Sequence, residues 1–209
     1  MMPIVQPDIE KYLATVRSPS VPPLAEMEAW AAAHDFPIVG PDVGRLLFIL
    51  ARFAGARRVL ELGSGYGYSA FWFALALPPD GEVHCTDQSA DNRDRARDYF
   101  RRAGMEGKLH FHVGEALSLA RGIQGPFDIV FSDIDKEDYP AAIATATTLL
   151  RAGGLFVTDN ALWYGKVAAP EPDAPTRGVL RFNQSLAADS RYETVILPLR
   201  DGLSVAVKK

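Results

Sequence analysis

The stretch RVLELGSGYGYS, residues 58–69, determines how the rest of the chain is interpreted. A short apolar run with a β-branched residue leads into three alternating glycines, and an alanine- and aromatic-rich run that predicts a helix over residues 70–77 follows. A strand, a glycine turn and a helix in this order present backbone N–H groups and a helix N-terminus to a ligand. The pattern therefore predicts the first unit of an α/β sheet.

The spacing of the glycines bears on which ligand binds there. A dinucleotide-binding loop has the pattern G-x-G-x-x-G, but the third glycine is Gly67, one position early, and Tyr68 stands in the expected place. Glu61 lies inside the strand end, two residues before Gly63. A carboxylate there repels a pyrophosphate, yet it can accept hydrogen bonds from a cationic or hydroxyl-bearing ligand. The stretch thus favours S-adenosylmethionine over NAD, and a nicotinamide-dependent oxidoreductase is the alternative.

Composition and charge restrict the class of protein. The 209 residues, 48% hydrophobic and 23% charged, predict one globular domain over residues 1–209. The net charge of −4 argues against a nucleic-acid partner, because phosphate binding needs a basic surface. The single cysteine, Cys85, excludes an intramolecular disulfide and suits a reducing compartment. Apolar runs fall short of the ~20 residues of a membrane span. We therefore expect a soluble, cytoplasmic protein without a membrane partner.

Strands and helices alternate from residue 58 onward. The sequence predicts parallel strands at residues 59–62, 82–86, 109–113, 127–132 and 155–158, with helices at 90–103, 139–150 and 178–188. Two final strands, at residues 192–197 and 203–207, flank the tight-turn pair Asp201-Gly202 and are expected to pair antiparallel. The predicted fold class is α/β: a Rossmann-like, mostly parallel seven-stranded sheet with an antiparallel C-terminal hairpin strand and helices on both faces.

The first forty residues have a different character. Prolines divide residues 1–40 into helical pieces at 8–16 and 24–34. Such a segment is too interrupted to be a domain, so we expect it to pack on the core or on a partner subunit. Pro41 and Asp42 then begin a helix that extends to Phe53.

Polar side chains end all five predicted parallel strands. In chain order they are Glu61 with its glycine loop, Asp87, Glu115, Asp133 and the pair Asp159-Asn160. Ligands bind beyond the carboxyl ends of the strands in such sheets, so we expect a cleft there, although any one of these residues alone could cap a helix. Asp87 follows Gly67 by twenty residues, where an acid meets the ribose of either a dinucleotide or an adenosyl ligand.

A second group of residues suits a divalent cation. Asp133, Asp159 and Asn160 follow the fourth and fifth strands, which are neighbours in an ordinary strand order. Carboxylate and amide oxygens are ligands for Mg²⁺, Ca²⁺ or Mn²⁺. The alternative is that Asp133 caps the next helix and that Asp159-Asn160 form a turn. Lys136 either faces the same cleft or lies on the surface.

The four histidines, His34, His84, His110 and His112, provide no evident ligand set. No carboxylate pattern meets His110 and His112 in mid-strand, so we expect all four to be structural. The chain also lacks a G-x-S-x-G elbow, a Cys–His pair and a G-x-x-x-x-G-K phosphate loop.

Three segments carry a family resemblance: ELGSGYGYS at residues 61–69, FSDIDKEDY at 131–139 and GGLFVTDNALW at 153–163. Together they resemble the cation-dependent O-methyltransferases of the catechol and caffeoyl-CoA type, most of all the bacterial members. The resemblance covers nearly all of residues 38–209. It implies a class I methyltransferase fold, a homodimer, and methyl transfer from S-adenosylmethionine to a vicinal hydroxyl of a small aromatic acceptor. A member that binds the cofactor without catalysis is an alternative.

The resemblance also implies roles for individual residues. Asp133, Asp159 and Asn160 would bind the cation, with Mg²⁺ the expected ion and Ca²⁺ or Mn²⁺ the alternatives, and Lys136 falls at the position of the catalytic base, beside Asp133. The loop at residues 163–176 is expected to cover the acceptor; its Tyr164 stands where the plant caffeoyl-CoA enzymes carry asparagine. The residues implied to surround S-adenosylmethionine are Glu61, Gly63, Ser64, Gly65, Ser69, Asp87, Gln88, Glu115, Ala116 and Asp133.

Overall fold

The structure, a computed structural model, describes residues 4–209 and contains one seven-stranded sheet. The order across the sheet is β3-β2-β1-β4-β5-β7-β6. Pairing is parallel from β3 to β5, and β7 runs antiparallel to both β5 and β6. The predicted fold class is confirmed. The strands are β1 (Arg58–Leu62), β2 (Glu82–Asp87), β3 (Leu109–Val113), β4 (Phe127–Ser132), β5 (Leu150–Thr158), β6 (Tyr192–Leu197) and β7 (Leu203–Lys208).

Eight α-helices accompany the strands within residues 4–209. They are α1 (Pro7–Val16), α2 (Pro22–Ala33), α3 (Gly40–Phe53), α4 (Tyr68–Ala76), α5 (Ala90–Arg102), α6 (Ala116–Ala120), α7 (Tyr139–Leu149) and α8 (Ala174–Ala188). The short helix α6 was not predicted. Helix α8 begins inside the expected loop, because the Asp173 carboxylate caps it by accepting a hydrogen bond from Thr176 N at 2.9 Å. In this described part of the chain, every helix is too short or too polar to cross a bilayer.

Alternate residues of the central strands enter two different apolar layers. Val59 and Phe131 are buried in the layer that holds helices α2 to α5. Leu60, Val130 and Phe156 are buried in the layer that holds α7 and α8. This alternation is what a strand with a side-chain period of two produces when both faces are covered. The carboxyl edge of the strands is therefore where a ligand can approach.

The N-terminal segment is divided between a packed helix and an exposed one. Helix α2 buries Leu24, Met27 and Ala31 in the first apolar layer. Helix α1 buries no side chain, and its apolar residues Ile9, Tyr12, Leu13 and Val16 are exposed. Helix α2 therefore packs on the sheet, whereas the apolar residues of α1 are uncovered.

The connection between β6 and β7 spans residues 198–202 and is longer than the two-residue turn expected at Asp201-Gly202. It docks on the segment that follows β5: Ala161 N donates to Gly202 O and Leu162 N donates to Asp201 O, both at 2.8 Å. A Cβ on Gly202 would lie 2.5 Å from Leu162 N, so only glycine permits this approach. The docking brings residues 200 and 201 to the carboxyl edge of the sheet.

Candidate functional site

A cavity of about 490 Å³ opens at the carboxyl edge of the parallel strands, within the range usual for small-molecule sites. The end of β2 and the segments that follow β1, β2, β3, β4 and β5 contribute residues to its wall. Residues 37 and 38 of the N-terminal segment, residues 163 and 164 of the loop before α8, residue 175 in the first turn of α8 and Arg200 also line it. Among the predicted site residues, those that line it are Gly63, Asp87, Gln88, Glu115, Ala116, Asp133, Lys136, Asp159 and Asn160.

The loop after β1 brings its backbone close to β4. Gly63 has φ +79°, and a Cβ there would lie 2.5 Å from Asp133 O. Gly63 N and Ser64 N both donate to Thr86 O, at 3.1 and 2.9 Å. Beside the loop lies a second space of about 210 Å³, lined by residues that include Ser64, Gly65 and Ser69, which shares Gly63, Asp87 and Asp133 with the main cavity. The two spaces therefore adjoin along the glycine loop.

Asp87 connects this loop to α5 and also lines the cavity. One of its carboxylate oxygens accepts from Gly65 N at 3.0 Å, and the other accepts from Ser89 N and from Asn92 Nδ2, both at 2.9 Å. The N-cap of α5 is Ser89, whose hydroxyl accepts from Asn92 N at 3.2 Å. Asp87 is thus not the helix cap itself.

Two of the predicted cofactor residues direct their carboxylates away from the cavity. Glu61 is fully buried beneath the glycine loop, where it accepts hydrogen bonds from Ser69 Oγ and, at 3.7 Å, from Cys85 Sγ. Burial raises the pKa of Glu61 to about 8. Glu115 caps α6, because its carboxylate oxygens accept from the N–H groups of residues 117 and 118 at 2.8 and 2.7 Å. Glu115 lines the cavity wall, and Glu61 lies beneath it.

Asp133, Asp159 and Asn160 are brought to one end of the cavity, because β4 and β5 are adjacent and Asp159 N donates to Ser132 O at 3.1 Å. Asp159 is 1% exposed, and burial, followed by the charge of Asp133, raises its pKa to about 8. Its Oδ1 is buried without a hydrogen-bond partner among residues 4–209. A buried carboxylate oxygen with no donor, next to a second carboxylate, fits a hard divalent cation.

The β6–β7 connection contributes two residues to this acidic group that the sequence interpretation missed. Asn160, at φ +54°, donates from Nδ2 to Asp201 Oδ2 at 2.6 Å, which leaves its amide oxygen available. Arg200 Nη1 lies 3.1 Å from Asp159 Oδ2 and 3.5 Å from Asp201 Oδ1. The only relevant pattern in the sequence was the Asp-Gly pair, which was interpreted as a turn.

Lys136 lies at the cavity rather than on the outer surface. Its Nζ is 2.9 Å from Asp133 Oδ1 and 3.1 Å from Ile134 O, and its side chain is 11% exposed. The ammonium also lies 4.9 Å from the ring centre of Tyr139 and 5.3 Å from that of Trp163. Trp163 and the adjacent Tyr164 belong to the loop that was expected to cover an acceptor, and both line the cavity.

Comparison with known proteins gives a consistent set of relatives. A sequence model of a family described as O-methyltransferase matches residues 18–209. The chain is 35% identical to caffeoyl-CoA O-methyltransferase 1 of Eucalyptus globulus over 88% of this chain and 80% of that protein. The crystal structure of the O-methyltransferase TomG from Streptomyces achromogenes, involved in tomaymycin synthesis and in complex with SAM, superposes with a TM-score of 0.87 at 32% identity, covering 97% of this chain and 96% of that one. An O-methyltransferase from Bacillus cereus in complex with SAH has the same TM-score at 31% identity, with 97% of both chains covered.

Proposed function

The chain belongs to the O-methyltransferase family, and we propose that it transfers the methyl group of S-adenosylmethionine to one of two vicinal hydroxyls of a small aromatic, catechol- or caffeoyl-like acceptor at a divalent-cation site. Methyltransferase activity follows from the family. The observation that carries the finer proposal is the unpartnered buried Asp159 Oδ1, which lies beside Asp133 and Asn160 in the cavity of residues 4–209. Family membership also removes the nicotinamide-dependent alternative.

We propose that the adenosyl cofactor occupies the part of the cavity next to the glycine loop. Relatives solved with SAM and with SAH support this choice of cofactor. Gly63 and Gly65 lack a Cβ and so let a ligand approach the backbone. The Asp87 carboxylate already accepts three hydrogen bonds, and its Oδ2, which accepts only from Gly65 N, has one further lone-pair site to accept from a ribose hydroxyl. Ala116 and the backbone of Glu115 would border the adenine.

We propose that Asp133, Asp159 and the amide oxygen of Asn160 hold the cation, with Mg²⁺ as the expected ion and Ca²⁺ or Mn²⁺ as alternatives. A divalent cation held there would supply Lewis-acid stabilisation of a phenolate. Without such stabilisation, a phenol with a pKa of ~10 is mostly protonated at neutral pH. Asp201 fixes the Asn160 amide through the 2.6 Å hydrogen bond from its Nδ2. Arg200 offsets part of the negative charge of Asp159 and Asp201.

Lys136 is proposed to accept the proton of the reacting hydroxyl, a role that requires its side chain as the neutral amine, which becomes the ammonium on taking up the proton. The 2.9 Å contact with Asp133 Oδ1 holds its Nζ at the cavity, next to the proposed cation ligands. Trp163 and Tyr164 form the wall on the same side and are suited to orient an aromatic ring. Methyl transfer then depends on bringing the acceptor oxygen and the donor carbon together in line, which is a matter of proximity and orientation.

The proposal extends to assembly and location. The four exposed apolar side chains of α1 are a surface that a second copy of the chain would cover, in agreement with the homodimer that the resemblance implies. The single cysteine, which is buried, is compatible with a reducing cytoplasm.

The test is methyl transfer from S-adenosylmethionine to caffeic acid, measured with Mg²⁺ and again with chelator. We expect transfer that chelator abolishes. Asp159→Ala should remove the metal stimulation and change the affinity for S-adenosylhomocysteine by less than about threefold, or below ~0.7 kcal/mol. Asp94→Ala, an aspartate on the outer face of α5 that pairs with Arg93, is the control and should retain full activity.

Two results would contradict the proposal. Metal-stimulated transfer by Asp159→Ala at the wild-type rate would refute the cation site. Binding of S-adenosylmethionine without transfer to caffeic acid or to catechol would refute the acceptor class while leaving the cofactor assignment intact.

A further inference from the structure

A group of ionisable side chains lies on the sheet outside the cavity. The register pairs His84 with His110 and Thr86 with His112 across β2 and β3, so these histidines project from one face, with Glu82 two residues before His84. His84 Nε2 lies 3.2 Å from Glu82 Oε2. The sequence interpretation considered carboxylates only around His110 and His112, and the contact of Glu82 with the neighbouring His84 was not predicted.

We propose that Glu82, His84 and His110 bind a transition-metal ion of the Zn²⁺ type at a site separate from the catalytic cavity. One ligand atom from each of the three residues lies within 4.8 Å of the other two. Two imidazole nitrogens and one carboxylate oxygen suit Zn²⁺, Co²⁺, Ni²⁺ or Cu²⁺ and discriminate against Mg²⁺, which prefers oxygen ligands alone. The residues that line the catalytic cavity do not include these three, so the two sites are separate.

His112 prepares His84 for this role. Its Nε2 lies 3.4 Å from His84 Nδ1, so a proton on His84 Nδ1 can be donated to His112, which leaves His84 Nε2 free on the side of Glu82. Histidine ligands in metal sites usually donate their other ring N–H in this way.

In the absence of an ion, Arg58 donates a hydrogen bond to the Glu82 carboxylate, but the Arg58 guanidinium also has other hydrogen-bond partners. Arg58 Nε donates to Glu82 Oε2 at 3.0 Å, while its two terminal nitrogens donate to Pro126 O and Gln124 O at 3.0 and 3.1 Å. An ion that takes Glu82 therefore displaces one of three hydrogen bonds. The Glu82 side chain is 39% exposed, so an ion can reach it from solvent.

At least one of the two imidazole ligands must turn for both to bind one ion. The rings of His84 and His110 are stacked with centroids 4.7 Å apart and planes 16° apart, whereas a metal lies in the plane of each ring that binds it. The χ2 torsion of histidine has a broad energy profile, so the torsion itself permits this rotation.

The experiment measures Zn²⁺ binding to chelator-stripped full-length protein by competition with a chromophoric chelator, with Mg²⁺ in large excess to occupy oxygen sites. We expect one Mg²⁺-resistant Zn²⁺ per chain. His110→Gln and Glu82→Gln should weaken Zn²⁺ binding by more than the roughly 10–100-fold that loss of an outer partner costs, and His112→Gln should fall within that range. His34→Gln is the control, because His34 lies at the end of α2, stacked on Trp30, and should bind Zn²⁺ like the wild type.

Three outcomes would overturn the assignment. Absence of Mg²⁺-resistant Zn²⁺ in the wild type would refute the site. Equal binding by His110→Gln and wild type would refute the site, and a Zn²⁺ that is lost in Asp159→Ala instead would assign the ion to the cavity. A Co²⁺ absorption spectrum that changes in Glu82→Gln, with unfolding transitions matched to the wild type, separates ligand loss from misfolding.

Discussion

Replacing Gly63 with alanine tests how closely the glycine loop approaches β4. The added Cβ would lie 2.5 Å from Asp133 O and 2.9 Å from its carbonyl carbon, at a residue with φ +79°. The left-handed backbone costs an L-residue about 1–2 kcal/mol, and forcing apart an overpacked contact adds about 1–3 kcal/mol. We therefore expect the free energy of unfolding to fall by about 2–5 kcal/mol. Each kcal/mol should lower the melting temperature of a chain of this size by about 2–4 °C.

Gly104→Ala is the matched control for this substitution. Gly104 follows α5 with φ +68°, and nothing lies within 4 Å of an added Cβ, so this variant experiences the backbone cost alone. Urea unfolding followed by circular dichroism measures the free energy of unfolding of both variants. Calorimetry measures how tightly each variant binds S-adenosylhomocysteine in the cavity. We expect weaker binding only in Gly63→Ala, because the shift of Asp133 deforms the cavity wall. Unfolding free energies of the two variants that agree within about 0.5 kcal/mol would refute the close approach.

Two further predictions follow from the carboxylates near the loop. Asp87→Ala should weaken the binding of S-adenosylhomocysteine, measured by calorimetry, without removing Mg²⁺ binding. Unchanged cofactor affinity would mean that Asp87 only connects the loop to α5. Glu61→Gln should flatten the pH dependence of stability. Because the pKa of Glu61 is raised from 4.5 to about 8, the folded chain keeps a proton that the unfolded chain releases, so wild-type stability should fall across this window as pH rises. Parallel curves for variant and wild type in urea unfolding at several pH values would contradict this.

The strands and the acidic group could be predicted because each depends on local pattern plus one general rule. Apolar runs separated by helical segments imply parallel neighbours, and parallel neighbours end at the same edge. Asp133 and Asp159 are 26 positions apart in the chain, yet strand adjacency alone places them together. The cavity position of Lys136 then follows from its short distance in sequence to Asp133.

Other parts of the site depend on which loop docks where, and local sequence does not encode this. Arg200 and Asp201 reach the acidic group because Gly202 admits Leu162 N, a contact between segments forty positions apart. Glu115 could be recognised as a cap only once α6 was known. The burial of Glu61, by contrast, could be predicted from the sequence, because period-two alternation places Glu61 on the same strand face as the buried Val59.

The position of β7 has a consequence for synthesis. It lies inside the sheet between β5 and β6, although the ribosome makes it after the other six strands. Until residues 203–208 emerge, β5 has an unpaired edge that can capture a strand of another nascent chain. The same late stretch anchors the loop that carries Arg200 and Asp201, so the sheet and the acidic end of the cavity are completed together. A chain stalled before that point therefore presents both an unpaired strand edge and an incomplete cavity to the chaperones that bind nascent chains.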